Sequence, residues 1–317
     1  MPEMVGDDAG MPRATSIRNG RLRWLALGAA PALLAALAAS LAPAAANAAP
    51  ATASAASPAT CQHSFVPAYP WSSSFWTRAI NSKPAPAVMI LNVTGTGAGT
   101  TAVPHFQALV RQAQKAGIAV LGYSSTEYGQ RAAAAVEADA KNYKAWYKVN
   151  GMFLDLTANA RNELSYYRGV AKYIRAVNPG SVIWLNVGAY PAQGYMSVGN
   201  VVVAFEGSYA SYRQLQVPAW TAHYRPVRFA DVIYATPRSD LAGAVSLSRQ
   251  RRAGYMYVTN LAGSPDPYTA LPGYWGAEVA ALAKGCPASA AAKAATAATA
   301  VNPGQALITS HRESATG

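Results

Sequence analysis

The sequence predicts a single-domain α/β fold, a (β/α)8 barrel, and three observations predict it. Eight short runs rich in β-branched and aromatic residues alternate with helix-patterned stretches between Cys61 and Cys286, as parallel strands joined by right-handed crossovers require. No GxGxxG opens a helix after the first run, so the doubly wound open sheet, the next most economical arrangement, lacks its dinucleotide fingerprint. The two cysteines bracket the whole series, and closing a barrel is what brings a first strand and a last helix together.

Each element has its own signal. Residues 65–69 read as the first strand, with a short helix over 74–80. Residues 87–93 (AVMILNV) are nearly all apolar, as a strand covered on both faces should be. Gly95, Gly97 and Gly99 make a loop, Pro104 opens a helix to Lys115, and Gly117 sits where a helix-terminating glycine belongs. The third strand is 118–123 (IAVLGY), followed by a long loop over 124–131 and a helix through about residue 147. The fourth, 151–157 (GMFLDLT), carries one carboxylate, Asp155, near its end. Apolar and aromatic residues at helical spacing fill 163–177, and Asn178-Pro179-Gly180 stops that helix. Runs at 182–187 (VIWLNV) and 201–205 (VVVAF) are the fifth and sixth strands, with a poorly marked helix between them. Residues 229–235 are the seventh strand, 241–251 a helix, 255–259 the eighth strand and 275–284 the closing helix.

Outside this region the chain changes character. Residues 1–48 read as a signal peptide: Arg13, Arg18, Arg21 and Arg23 precede an apolar run over 24–41, and Ala46-Asn47-Ala48 has the small-x-small form of a cleavage site. The expected product is secreted, with no membrane span in its mature form; the alternative is an uncleaved run retained as an N-terminal anchor, since it approaches membrane-spanning length. Residues 49–60 read as an Ala/Ser/Pro-rich linker and 287–317 as a disordered Ala-rich tail, because neither carries enough large apolar surface to order itself. The barrel is expected over 61–286. In an exported protein Cys61 and Cys286 are expected to pair. A loop of that length restricts the unfolded chain by about 4–5 kcal/mol in the chain-entropy model.

Charge and ligand chemistry narrow the function. The chain has 26 Lys and Arg against 14 Asp and Glu, a formal net charge of +12, which suits an anionic surface such as a cell wall. No basic cluster exceeds Arg249, Arg251 and Arg252, so nucleic acid is not an expected partner. No CxxC occurs, and His63, His105, His223 and His311 show no ligand spacing, so neither a metal nor another cofactor is expected.

A barrel of this kind builds its site at the C-terminal ends of its strands. The residues expected there are Tyr69 and Trp71 after strand one, Asn92 at strand two, and Tyr123, Glu127 and Tyr128 at strand three. Asp155 follows at strand four, Asn186 at five, Glu206 at six, Tyr234 at seven, and Thr259 with Asn260 at eight. A carboxylate at the end of an apolar strand needs a partner or a task, since desolvating it costs several kcal/mol. Aromatic rings suit the C–H faces of sugars, amides and hydroxyls suit their polar groups, and paired carboxylates suit glycosidic cleavage. The expected partner is therefore a polysaccharide. Structural roles stand beside these: Asn92 and Asn186 equally suit backbone groups, and Glu127 suits a solvated loop.

Several motifs carry a resemblance to a known family. Phe65-Val66-Pro67-Ala68-Tyr69, Leu121-Gly122-Tyr123 with Tyr128-Gly129 and Arg131, Phe153-Leu154-Asp155, Leu185-Asn186 with Gly188, Phe205-Glu206, and Tyr257-Val258-Thr259 followed by Leu271-Pro272-Gly273-Tyr274-Trp275 resemble the spherulin-4 family in the expected order. The resemblance covers about residues 65–285. It implies a (β/α)8 barrel and a secreted endo-acting glycoside hydrolase on α-1,4-linked galactosaminogalactan, cutting at N-acetylgalactosamine. It also implies an Asp-Glu pair ending strand four and a Glu ending strand six. Asp155 matches the first and Glu206 the last, while Leu156 stands at the second acid. Asn260 stands where the family tends to have Asp, and Tyr234-Ala235 where it tends to have His. Asp155 is the expected nucleophile or cation stabiliser and Glu206 the expected general acid and base. The alternative is a non-catalytic carbohydrate-binding or cell-surface protein on the same barrel, having lost an acid at position 156.

Overall fold

The computed structural model describes residues 61–264 and 266–286. The signal peptide, linker and tail expected from the sequence lie outside the described residues. Eight parallel strands close into a barrel in chain order: β1 (His63–Ala68), β2 (Val88–Leu91), β3 (Ala119–Ser125), β4 (Gly151–Asp155), β5 (Val182–Asn186), β6 (Val201–Ser208), β7 (Phe229–Tyr234) and β8 (Tyr255–Val258). Around them stand α1 (Ser73–Ile80), α2 (Pro104–Lys115), α3 (Ala133–Tyr147), α4 (Leu164–Val177), α5 (Tyr209–Arg213), α6 (Leu241–Gln250) and α7 (Trp275–Ala283).

The helices bury the faces that their apolar spacing provides. In α4, Leu164, Tyr167, Val170, Ala171 and Ile174 recur at three- and four-residue intervals and are all buried. Pro104 opens α2, and Gly117 beyond its end takes a positive φ of 79°. The segment after β5 departs from the pattern. Among the described residues it holds only a 3-10 turn, Gln193–Ser197, where Pro191 and Gly194 interrupt any longer helix. The buried Arg228 guanidinium covers that side, donating to the carbonyls of Met196, Gly199 and Asn200.

Inside, side chains fill the barrel. The Trp184 ring on β5 meets Phe65 of β1 at 5.3 Å and Tyr255 of β8 at 4.8 Å. Strands one and five are not neighbours, so these contacts cross the interior and mark the inward face. The seam between β1 and β8 pairs only at His63↔Tyr255 and Ser64↔Met256. Beyond it the Val258 N–H is taken at 2.7 Å by Oε1 of the buried Glu278 on α7, and burial drives that carboxyl's pKa well up. Cys61 and Cys286 form the expected disulfide, joining residues 225 apart in the chain. Among the described residues no helix is long and apolar enough to cross a membrane.

Candidate active site

Two carboxylates and one amide delivered to the C-terminal rim form one connected network. Asp155 is the last residue of β4, Asn186 the last of β5, and Glu206 lies within β6. The Asn186 Nδ2 donates to Asp155 Oδ1 at 2.6 Å and to Glu206 Oε2 at 2.7 Å. The other oxygen of each acid takes a phenol. Tyr123 donates its hydroxyl to Asp155 Oδ2 at 2.6 Å, and Tyr268 donates its hydroxyl to Glu206 Oε1. Tyr69 ties the phenols together, packing edge-on against Tyr123 at 5.6 Å and Tyr268 at 5.3 Å.

An irregularity in β6 aims Glu206 into this network. Val203 pairs with Ala230 of β7 and Phe205 with Asp231, so Ala204 is an extra residue in the ladder. Such bulges re-aim side chains beside functional sites. Here the bulge turns Phe205 outward onto Tyr212 of α5 at 4.8 Å and leaves Glu206 facing inward. Gly188 braces the other side: its N–H donates to Val203 O and its carbonyl accepts from the Glu206 N–H, both at 3.1 Å. It does so at φ 66°, a conformation that favours glycine.

Both acids are held above the usual carboxylate range, and burial is the chief cause. Burial raises the pKa of Asp155, opposed by the hydrogen bonds from Tyr123 and Asn186. Burial also raises Glu206, and the Asp155 charge raises it further, against the bonds from Tyr268 and Asn186. Negative charge at Asp155 therefore favours the proton on Glu206. Tyr69, Tyr123 and Tyr268 are all pushed far up, chiefly by burial and then by the neighbouring acids, so they stay protonated donors.

An open cleft of about 410 Å³ lies over the pair, bordered in strand order by Tyr128, Asp155 with Leu156, Asn186 with Val187 and Gly188, Glu206, Tyr234, and Gly263 with Pro267. A Cβ at Gly263 would meet the Tyr234 ring at 2.6 Å, so glycine there lets the last loop close on that ring. Of the residues expected from the sequence, Asp155, Glu206, Asn186, Tyr128 and Tyr234 line this cleft, and Tyr123 and Tyr69 stand behind the acids. The others are engaged elsewhere. Asn92 Oδ1 accepts the Gly95 N–H at 2.7 Å, the buried Thr259 hydroxyl accepts from Leu261 N–H at 3.1 Å, and Asn260 Oδ1 accepts the Gly273 N–H at 2.9 Å. Trp71 is 52 % exposed with its ring on Phe106, and Glu127 is exposed on the turn before Tyr128.

Tyr268, Gly188 and the bulge at Ala204 were not among the expected site features. The available signal for Tyr268 was an aromatic residue within a Gly/Ser/Pro/Asp loop after the last strand. Strand four ends at Asp155 rather than residue 157, because Leu156 takes φ 47° and leaves the extended region. Among the described residues no cluster of three or more His, Cys, Asp or Glu side chains is placed to share a metal ion.

Comparison with known proteins agrees with this architecture. The chain is 26% identical over 228 residues to spherulin-4 of Physarum polycephalum, covering 68% of this chain and 69% of that one. It superposes on the crystal structure of Aspergillus clavatus Sph3 in complex with GalNAc with a TM-score of 0.61 and 24% identity, over 70% of this chain and 98% of that one. The model of spherulation-specific family 4 matches residues 64–282, the strand-and-helix series from β1 to α7 but for one residue at each end, and the chain belongs to that family.

Proposed function

We propose that this protein is a secreted glycoside hydrolase that cleaves an amino-sugar polysaccharide, an α-1,4-linked N-acetylgalactosamine polymer, with Asp155 as nucleophile and Glu206 as general acid and base. The observation that carries this reading is the shared Asn186 amide. One nitrogen bonded to both acids, at 2.6 and 2.7 Å, keeps the nearest oxygens of the two carboxyls within about 5 Å of each other, which supports the close spacing of a retaining pair over the roughly 6.5–9.5 Å of an inverting one.

The chemistry follows from that spacing. Glu206 gives its proton to the glycosidic oxygen while Asp155 attacks the anomeric carbon, forming a glycosyl-enzyme ester and freeing the leaving chain. Glu206 then takes a proton from water as the water displaces Asp155. In an α-linked galactosaminide the 2-acetamido group lies on the same face as the leaving oxygen, so it cannot attack from behind and a protein carboxylate has to do so. The sugar is chosen after GalNAc in the Sph3 complex. The net charge of +12 disfavours a deacetylated, cationic polymer and suits neutral acetylated stretches. The Cys61–Cys286 bridge supports an oxidising destination outside the cytosol.

A second reading, a non-catalytic carbohydrate-binding protein, is favoured by one feature: Leu156 borders the cleft where the family resemblance expects a second acid. Reducing ends released from the N-acetylgalactosamine polymer separate the two. The hydrolase reading expects release by the wild type and a loss of about 10²-fold or more in Asp155→Asn and Glu206→Gln. A wild type that binds the polymer and releases no reducing ends supports the binding protein instead.

A further inference from the structure

We infer that Tyr128 and Leu156 form an apolar platform that takes the C–H face of a sugar ring beside Asp155; this rests on the carbohydrate function proposed above. Both residues stand in left-handed backbone, Tyr128 at φ 58° and Leu156 at φ 47°, where an ordinary side chain is disfavoured. Both also leave a large apolar side chain in solvent, Tyr128 at 57 % exposure and Leu156 at 38 %. Among the described residues the large exposed hydrophobics are Trp71, Tyr128, Leu156 and Val217, and of these Tyr128 and Leu156 border the cleft. Strain and exposure at one spot persist only where the surroundings impose them, and such spots gather at ligand sites.

The surroundings do impose them. The Tyr128 N–H donates to the Leu156 carbonyl at 2.7 Å, and the Thr126 hydroxyl donates to the same carbonyl at 2.8 Å. Arg131 locks the turn that carries Tyr128, donating from Nη1 to the Thr96 and Ser125 carbonyls and pairing with Asp139 at 2.8 Å. Two backbone turns from different strand ends are thereby tied together, and the residues they carry border the same cleft. Among the described residues no other ring packs on Tyr128, so its face is available. Val187 on the next strand end continues the apolar border. Because Leu156 directly follows Asp155 and both border the same cleft, a ring lying on this surface sits next to the attacking carboxylate. An uncharged pyranose is the occupant that this chemistry fits: an apolar C–H face for the platform, and hydroxyl or amide groups for the polar network beyond it.

The test uses the Glu206→Gln protein, so that ligand is bound and not consumed, with α-1,4-linked N-acetylgalactosamine oligosaccharides titrated calorimetrically. Adding Tyr128→Ala is expected to weaken binding about tenfold, and Tyr128→Phe, which keeps the ring, to leave it unchanged. Adding Leu156→Gly is expected to weaken binding severalfold while the protein melts at or above the parent's temperature, because glycine relieves the left-handed strain. Tyr128→Ala binding like the parent overturns the platform. So does Leu156→Gly that melts lower and binds as well as the parent, the behaviour of a purely structural leucine. A folded Glu206→Gln protein that binds none of these oligosaccharides overturns the carbohydrate reading itself, and the platform with it.

Discussion

Val203 and Glu206 face the same side of β6 although they lie three positions apart. Their partners on β7, Ala230 and Val232, are only two apart, and the difference is absorbed at Ala204. Regular alternation would have sent Glu206 outward and Phe205 into the barrel. Gly188 secures the arrangement from β5's side with two backbone bonds at φ 66°.

Gly188→Ala tests that brace. A Cβ there lies 3.5 Å from the Glu206 Cβ, an ordinary contact, so the cost falls on the backbone conformation. We expect a loss of about 1–2 kcal/mol in stability. We also expect a fall in kcat of about tenfold or more with KM little changed, as Glu206 shifts from its bond to Asn186. Denaturant titration and steady-state kinetics on the N-acetylgalactosamine polymer check both.

Tyr268→Phe removes the hydroxyl bonded to Glu206. That bond lowers the carboxyl's pKa against burial and the Asp155 charge, so its loss raises the pKa further. A general acid sets the alkaline limb of the rate profile. The limb should therefore move to higher pH, with kcat lowered about tenfold by the loosened carboxyl. A pH–rate profile of wild type and variant measures the displacement. An unmoved limb argues against Glu206 as the acid.

The legible part of this molecule was its repeating part. Strands such as Val182–Asn186 are buried on both faces and show as apolar runs, and α2 and α4 carry their packing in their spacing. Asp155, Asn186 and Glu206 stood out because polar residues end those runs. The hidden part was what breaks the repeat. One extra alanine in a run of five apolar residues looks like more strand, so the bulge that aims Glu206 leaves no mark. The left-handed turn at Leu156 is set by bonds from Thr126 and Tyr128, far away in sequence. Tyr268 reaches Glu206 from 62 residues on, through a loop without a periodic signal. Asn92, Thr259 and Asn260 sit at strand ends as read, but short polar side chains there satisfy their own loops first.

Asp231 gives the fold a pH dependence of its own. It is buried on β7, with Tyr212 donating to Oδ2 at 2.6 Å and the Arg251 guanidinium 4.3 Å from the Tyr212 ring centre. Burial raises its carboxyl from 3.8 to about 7, against the Tyr212 bond and the Arg251 charge. The folded state thus holds a proton that the unfolded chain releases near its ordinary value. The resulting stabilisation is fully present below about pH 4, declines as pH rises, and is gone above about pH 7. Its size is on the order of a few kcal/mol. Asp231→Asn should flatten this slope and exceed the wild type in stability at pH 8. Urea titrations at pH 5 and 8 decide it, and an unchanged slope counts against the assignment.

The pairing of Asp155 with Glu206 across one amide predicts the stereochemistry of the first product. Proton NMR during the opening minutes of digestion of an α-1,4-linked N-acetylgalactosamine oligosaccharide reads the new anomeric signal before mutarotation mixes it. The α anomer appearing first, and no new reducing end with Asp155→Asn, is the predicted result. The β anomer appearing first, or no product at all from the wild type, would contradict a retaining pair at this rim.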